Sequence, residues 1–234
     1  MSDATTVLGA VTDLVGHLRW QVRPPEPEEL RSAELASSPD QLAAAVAATA
    51  AGRGSTDAQV LASLWWQAYA YRVAGTTLAA WAVTGAAPGV GDAGTAVGVA
   101  RSRPASLVVD PAATVRTDLG EVVDDVFAGN LDPVAASLRE RHRLGTHLVH
   151  GNALAGVASA LAAVASAPSA PDLTTAVDEI LAALPYRLAT YGAFERPGWD
   201  HRRTTCCLWW KTTVAGGSLC ADCSLRPTPE ETSP

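Results

Sequence analysis

The sequence predicts a mainly α protein of α+β type: a helical body, a small β-hairpin or sheet, and an irregular C-terminal segment. Three observations carry this. Alanine, leucine and valine dominate an apolar fraction of 48% in a chain of 234 residues, and alanine and leucine favour helix. Apolar residues recur at helical spacing over most of the first 193 residues. After Gly192 that periodicity stops, and arginine, threonine, glycine, tryptophan and cysteine take over.

The first helix is expected from about Thr5 to Trp20, with Val7, Leu8, Val11, Leu14, Val15 and Leu18 on one face. Arg23-Pro-Pro-Glu-Pro cannot continue it. Ser38-Pro39-Asp40-Gln41 is a helix start, with a serine cap, proline at the first helical position and glutamine three residues after the cap. This helix should end near Gly52. A long helix should follow from about Thr56 to Val83, with Val60, Leu61, Leu64, Trp65, Ala68 and Tyr71 at helical spacing. Trp65, Trp66, Tyr69 and Tyr71 on it read as core packing rather than a ligand wall.

Gly85 to Gly94 is a glycine-rich connection without the spacing, or the following Lys-Ser/Thr, of a phosphate loop. Thr95 to Ala100 and Ser106 to Val109 read as strands of a hairpin turning through Arg101-Ser-Arg-Pro104. The chain should be helical again from Thr117, with Asp132-Pro133 as a cap and first helical position. Further helices are expected over Thr146 to Ser166 and from Asp172 to Gly192, the latter bent by Pro185. Residues 1–193 thus form the body, 194–226 the cysteine segment, and 227–234 a disordered tail.

Composition restricts the function. A net charge of -7 without a long run of one sign argues against nucleic acid as a partner. Val73 to Gly91 and Leu144 to Pro171 are poor in charge, but both are rich in alanine and glycine and interrupted by proline. They read as buried core helices rather than membrane spans. Met1 to Trp20 lacks a basic start and an apolar run, so a cytoplasmic location is expected.

All four cysteines fall near the C-terminus: Cys206-Cys207, twelve residues, then Cys220-x-x-Cys223. A disulfide framework would spread through the fold, so the clustering points to metal. A C-x-x-C turn aims two sulfurs at one ion. Adjacent cysteines diverge, which suits two irons joined by bridging sulfides, and four thiolates are the usual ligands of a [2Fe–2S] centre. A zinc staple remains open on this spacing, because four thiolates also make a closed tetrahedral site. A redox disulfide is third, since a vicinal bridge is strained.

The stretch Arg202-Arg-Thr-Thr-Cys-Cys-Leu-Trp-Trp-Lys, then Gly216-Gly-Ser-Leu-Cys-Ala-Asp-Cys-Ser-Leu, resembles the C-terminus of FhuF-type ferric siderophore reductases. The likeness lies in the arginine before a Cys-Cys pair, the aromatics after it, the glycine turn and the terminal C-x-x-C. The resemblance covers about thirty residues; the body matches loosely, at Gly151-Asn152-Ala153, without a role for Asn152. It implies Cys206, Cys207, Cys220 and Cys223 as ligands of a [2Fe–2S] cluster. It implies one-electron reduction of siderophore-bound ferric iron, with a separate donor protein such as a ferredoxin or flavoprotein reductase. No hydrolase motif such as G-x-S-x-G and no flavin or nicotinamide fingerprint competes.

Around the cysteines, Arg202, Arg203 and Lys211 are candidates for tuning the cluster or attracting an anionic ferric siderophore. Trp199, Trp209 and Trp210 are candidates for shielding the centre or meeting the siderophore, with packing of the segment on the body as the plainer role. Trp209 and Trp210 cannot both easily face inward. Thr204, Thr205 and Ser218 are possible donors to sulfur. His201 reads as a neighbour of the centre or a surface residue, and His142, His147 and His150 do not make a strict metal pair.

Overall fold

The computed structural model describes residues 3–16, 18–91, 95–100, 103–195 and 200–226. Helix α1 (Ala4–Leu14) starts at Asp3, whose carboxylate accepts from the Thr6 amide at 2.8 Å. It is shorter than its apolar pattern. Val15 and Leu18 are buried beyond its end, and Trp20 belongs to a strand, β1 (Trp20–Val22). Strand β2 (Leu30–Arg31) and helix α2 (Ser32–Ser37) were not expected. Ser38 then caps α3 (Pro39–Ala48) as its sequence indicates, accepting from the Gln41 amide. The chain kinks at Thr49 into α4 (Ala50–Arg53), which stops at left-handed Gly54.

The long aromatic helix is present but not uniform. It runs as α5 (Ala58–Ala70), a π-helical turn over Tyr71–Gly75, and α6 (Thr76–Thr84). Trp65, Trp66 and Tyr69 are buried as core residues, and the Trp66 indole donates to the Val149 carbonyl at 2.8 Å. Tyr71 is half-buried.

Strand β3 (Ala87–Pro88) leads to β4 (Thr95–Ala100) and β5 (Arg103–Val109), which pair antiparallel. The second strand begins earlier than its apolar run, and residues 101 and 102 of the expected turn lie outside the described residues. The four-stranded sheet has the order β1-β5-β4-β2, with β1 parallel to β5 (Trp20 opposite Leu107) and the other pairs antiparallel. Strand β6 (Val115–Arg116) pairs with β3.

Helix α7 (Leu119–Val126) is capped by Asp118, which accepts from the Glu121 amide at 3.0 Å. It continues through a second π turn, Phe127–Leu131, into α8 (Asp132–His142). Asp132 is therefore not a cap. Its backbone is helical, and its carboxylate accepts from the Tyr186 hydroxyl instead. The wider π turn next to it suits Pro133, which supplies no amide.

Helix α9 (Thr146–Ala165) is the axis of the body and packs against α5, α6 and the π turn between them. Among the described residues it is the one helix long and apolar enough to cross a membrane, and 67% of that stretch is buried in the fold. A Cβ on Gly75 would lie 2.8 Å from the Gly156 carbonyl oxygen, and one on Gly156 2.8 Å from the Tyr71 nitrogen. The two glycines let the helices touch backbone to backbone. Helix α10 (Thr174–Ala183) ends before Pro185, which breaks the helix rather than bending it. The stretch Pro185–Tyr191, 3₁₀-like but kinked at Tyr186 and Arg187, both at positive φ, leads to the hairpin of β7 (Gly192–Glu195) and β8 (Asp200–Arg203). The result is the mainly α, α+β architecture expected of the composition.

Candidate metal centre

Strand β8 delivers the cysteines to the body by packing its hairpin on α9. The Thr204 amide donates to the Tyr191 carbonyl at 2.9 Å, and the Arg203 amide to the Asp222 carbonyl at 3.0 Å. A Cβ on Gly151 of α9 would fall inside the Thr205 side chain, so glycine there permits the approach. Beyond Cys207, Leu208 takes a left-handed conformation (φ 67°), and short 3₁₀ turns cover Trp209–Lys211 and Thr213–Ala215. Gly216 and Gly217, both at positive φ, reverse the chain towards Cys220.

None of the four thiols is in a disulfide; Cys207 and Cys223 are buried, and Cys206 and Cys220 are half-buried. The sulfurs of Cys207 and Cys220 lie 3.5 Å apart. Two thiolates sharing one tetrahedral metal at about 2.3 Å would stand about 3.8 Å apart, whereas a disulfide needs about 2.05 Å. The pair is in unbonded sulfur–sulfur contact, one thiol contributed from each cysteine pair. The amides of Leu208 and Leu225 point at the sulfurs of Cys206 and Cys223, at 3.4 Å each. Amide donors of this kind stabilise thiolates at metal centres. The hydrogen bond with Cys220 draws the Cys207 thiol down to about 6, burial opposes it, and the Arg203 charge assists. Cys220, the proton-holding partner, is pushed up. Among the described residues no three His, Cys, Asp or Glu side chains already converge on a single-ion position. The donor set, four free thiols with amides on two of them, fits a thiolate-bound centre.

Arg203 is the keystone of the segment. Its side chain is buried (1% exposed). Its Nε donates to Asp222 Oδ2 at 2.8 Å, with Nη2 on the same oxygen, and its Nη1 donates to Asn152 Oδ1 at 2.8 Å. The Asn152 amide in turn donates to the carbonyl and hydroxyl of Ser63, both at 3.0 Å. The Ser63 hydroxyl donates to the Cys207 carbonyl at 2.9 Å. The chain of contacts runs from the C-x-x-C turn through α9 and α5 to the Cys-Cys pair. Burial alone would raise the Asp222 carboxyl; contacts with His201, Arg203 and Cys220 together hold it well below the usual range.

The other candidates divide. Arg203 bears on the centre electrostatically, but its burial removes it from any docking surface. The Arg202 guanidinium reaches the Arg226 carbonyl. Lys211 is exposed and lies over the Trp210 ring, 5.8 Å from its centroid. Trp210 is 44% exposed, whereas Trp209 faces a cavity beside Cys207 and Cys220. Trp199 lies outside the described residues. His201 Nδ1 is 3.7 Å from Asp222 Oδ2. His147 and His150 pack on Tyr191 and Tyr186.

Asn152, Ser63 and Asp222 acquire roles that the sequence did not assign. Asp222 carried a signal, as the acid inside the C-x-x-C turn; Ser63 carried none. No protein-family model and no curated protein matches this chain.

Proposed function

We propose that this chain is a ferric siderophore reductase, reducing siderophore-bound Fe(III) to Fe(II) by one electron and releasing the iron in the cytoplasm. The observation that carries the reading is the pair of sulfurs, Cys207 and Cys220, held 3.5 Å apart at the edge of a cavity. Cys206, Cys207, Cys220 and Cys223 would hold a [2Fe–2S] cluster, which supplies a single electron when bound and reduced. The adjacent cysteines, whose side chains diverge, favour a two-iron centre over one zinc ion. The body holds the cysteine segment rigidly through Arg203, Asn152 and Ser63, which keeps reorganisation on electron transfer small.

The chemistry needs no nucleophile or acid–base pair. Hard oxygen donors bind ferric iron tightly and ferrous iron far more weakly, so one electron releases the metal and the freed oxygens take up protons. The electron comes from a separate donor protein, such as a ferredoxin or flavoprotein reductase.

The purified protein is expected to be reddish-brown, with visible absorption that bleaches on dithionite. A colourless protein holding stoichiometric zinc after anaerobic purification would overturn the reading in favour of a zinc-stapled binding protein. Dithionite-reduced protein should re-oxidise on adding ferric siderophores; failure with a whole panel would leave an iron–sulfur carrier or sensor. Cys223→Ser should lose the cluster or bind it far more weakly.

A further inference from the structure

A cavity of about 560 Å³ lies beside the sulfurs, within the size range of small-molecule sites. Cys207, Cys220 and Trp209 line it together with three arginines from distant parts of the chain. Arg53 comes from the last residue of α4, Arg72 from the π turn between α5 and α6, and Arg103 from the first residue of β5. No aspartate or glutamate is among the described residues that line it. In a chain of net charge -7 this local excess of cations runs against the whole. Arg53 lies over the Trp209 ring, 5.2 Å from its centroid, and Arg72 over the Tyr71 ring at 5.0 Å. Such stacking orients guanidinium groups. Burial makes both Arg53 and Arg72 easier to deprotonate than usual; the charge of Arg103 adds to this at both, while Cys207 opposes it at Arg53 and Tyr71 opposes it at Arg72. Arg103 thus disfavours the charges of Arg53 and Arg72 across the cavity they line together, a cost that an anion between them would offset. π turns often occur where a helix bends its register for a functional residue, and this one presents Tyr71 and Arg72.

Building on the reductase reading, we propose that this cavity is the substrate site and that it selects anionic ferric chelates, with catecholate or citrate-type carboxylate donors, over uncharged tris-hydroxamates. The guanidinium groups meet the negatively charged oxygen sheath of the chelate. Tyr71 and Trp209, each with an arginine over its ring, are the aromatic side chains of the lining. Iron held there stands next to Cys207 and Cys220, the two sulfurs that line the cavity. The electron balance is that of the reaction above: one electron from the externally reduced centre converts Fe(III) to Fe(II), and the chelate oxygens are protonated as the iron leaves.

Gallium(III) chelates test this without turnover, because Ga(III) mimics the ferric complex and is not reduced. The full-chain protein is titrated with Ga(III) tris-catecholate, Ga(III) citrate and an uncharged Ga(III) tris-hydroxamate, following tryptophan fluorescence and heat. At least one anionic chelate should bind about tenfold or more tighter than the uncharged one. Arg53→Gln with Arg103→Gln should weaken the anionic chelate by about tenfold or more, and the Arg53→Lys, Arg103→Lys pair should restore part of it. The glutamine pair removes mutual repulsion and should fold, as its unchanged circular dichroism and visible absorption will report. Equal affinity for charged and uncharged chelates, or wild-type binding by the glutamine pair, would overturn the proposal. Preference for the catecholate over citrate would assign the aromatic faces; equal binding of both would assign charge alone. The cluster reading fails separately, through zinc and absent colour, and arginine-dependent chelate binding by such a protein would uphold the site while ending the reductase assignment.

Discussion

Arg203 and Asn152 form the contact on which the geometry of the cysteines depends. Replacing Asn152 by alanine removes an acceptor from a buried guanidinium and a donor from Ser63. Loss of a partner to a buried charged group costs about 1–3 kcal/mol, and the loss should fall on the cysteine segment. The measurable result is a faster decay of visible absorption on exposure to a chelator, with a smaller change in helical unfolding. Arg203→Lys should behave similarly, because an ammonium cannot reach Asp222 and Asn152 together in the geometry of a fork. If either variant holds its cluster as long as the wild type, the contact chain is not what anchors the segment. Lys211 and Trp210, both exposed, should tolerate alanine within about 0.5 kcal/mol of stability.

At the scale of elements, the crossing of Gly75 and Gly156 joins two helices backbone to backbone. Gly75→Ala would place its Cβ 2.8 Å from a carbonyl oxygen and 2.9 Å from the Ala160 methyl. Neither neighbour can rotate away, so the helices must part. Overpacking of this kind costs about 1–3 kcal/mol, read as a lower urea midpoint, and it should distort the arginine cavity, whose Arg72 sits in the same turn.

His150 of α9, packed against the segment between α10 and β7, carries a pH response. Burial pushes the His150 imidazole below its ordinary value; Asp132 pulls the other way, and Arg139 and His147 add to the push. Its ring stacks on Tyr186 and meets Tyr191 edge-on. A lowered pKa in the folded state means that the unfolded chain binds the proton first, from about pH 6.5 downward. The contribution is intact above that pH and is lost as the pH falls towards the folded value. His150→Gln should therefore flatten the decline in melting temperature between about pH 7 and pH 5, while His142, also lowered by burial, leaves a residual slope.

For the whole molecule, the contiguous apolar core is drawn from the body and does not include Cys207 or Cys223. On the proposed reading, removing the metal with a chelator should raise hydrogen exchange across residues 200–226 and leave α5, α6 and α9 protected. Loss of protection throughout would mean that the centre supports the body as well. Most helices were legible in the sequence, because their apolar spacing and caps at Ser38 are local signals. The short strands β1 and β2 were not, since two or three residues show no alternation and Trp20 finds its partner only at Leu107. The π turns escaped because an extra residue leaves the apolar pattern nearly unchanged. The spacing of the cysteines marked them as the candidate site, and the fold brings Cys207 and Cys220 into contact. Their support was not legible, because Arg203 reads as a surface charge until Asn152 and Asp222 are brought to it, and the cavity arginines share no motif.

The close fit of Gly151 under Thr205 also bears on the order of events during synthesis. The end of helix α9 leaves the ribosome 41 residues before Cys206, a delay of a few seconds at ordinary elongation rates. The helices that receive the segment can assemble while it is still being translated. On the proposed reading, a centre held by the cysteines would close onto a finished platform, and its loading would be the last step in the maturation of the chain rather than the event that starts it.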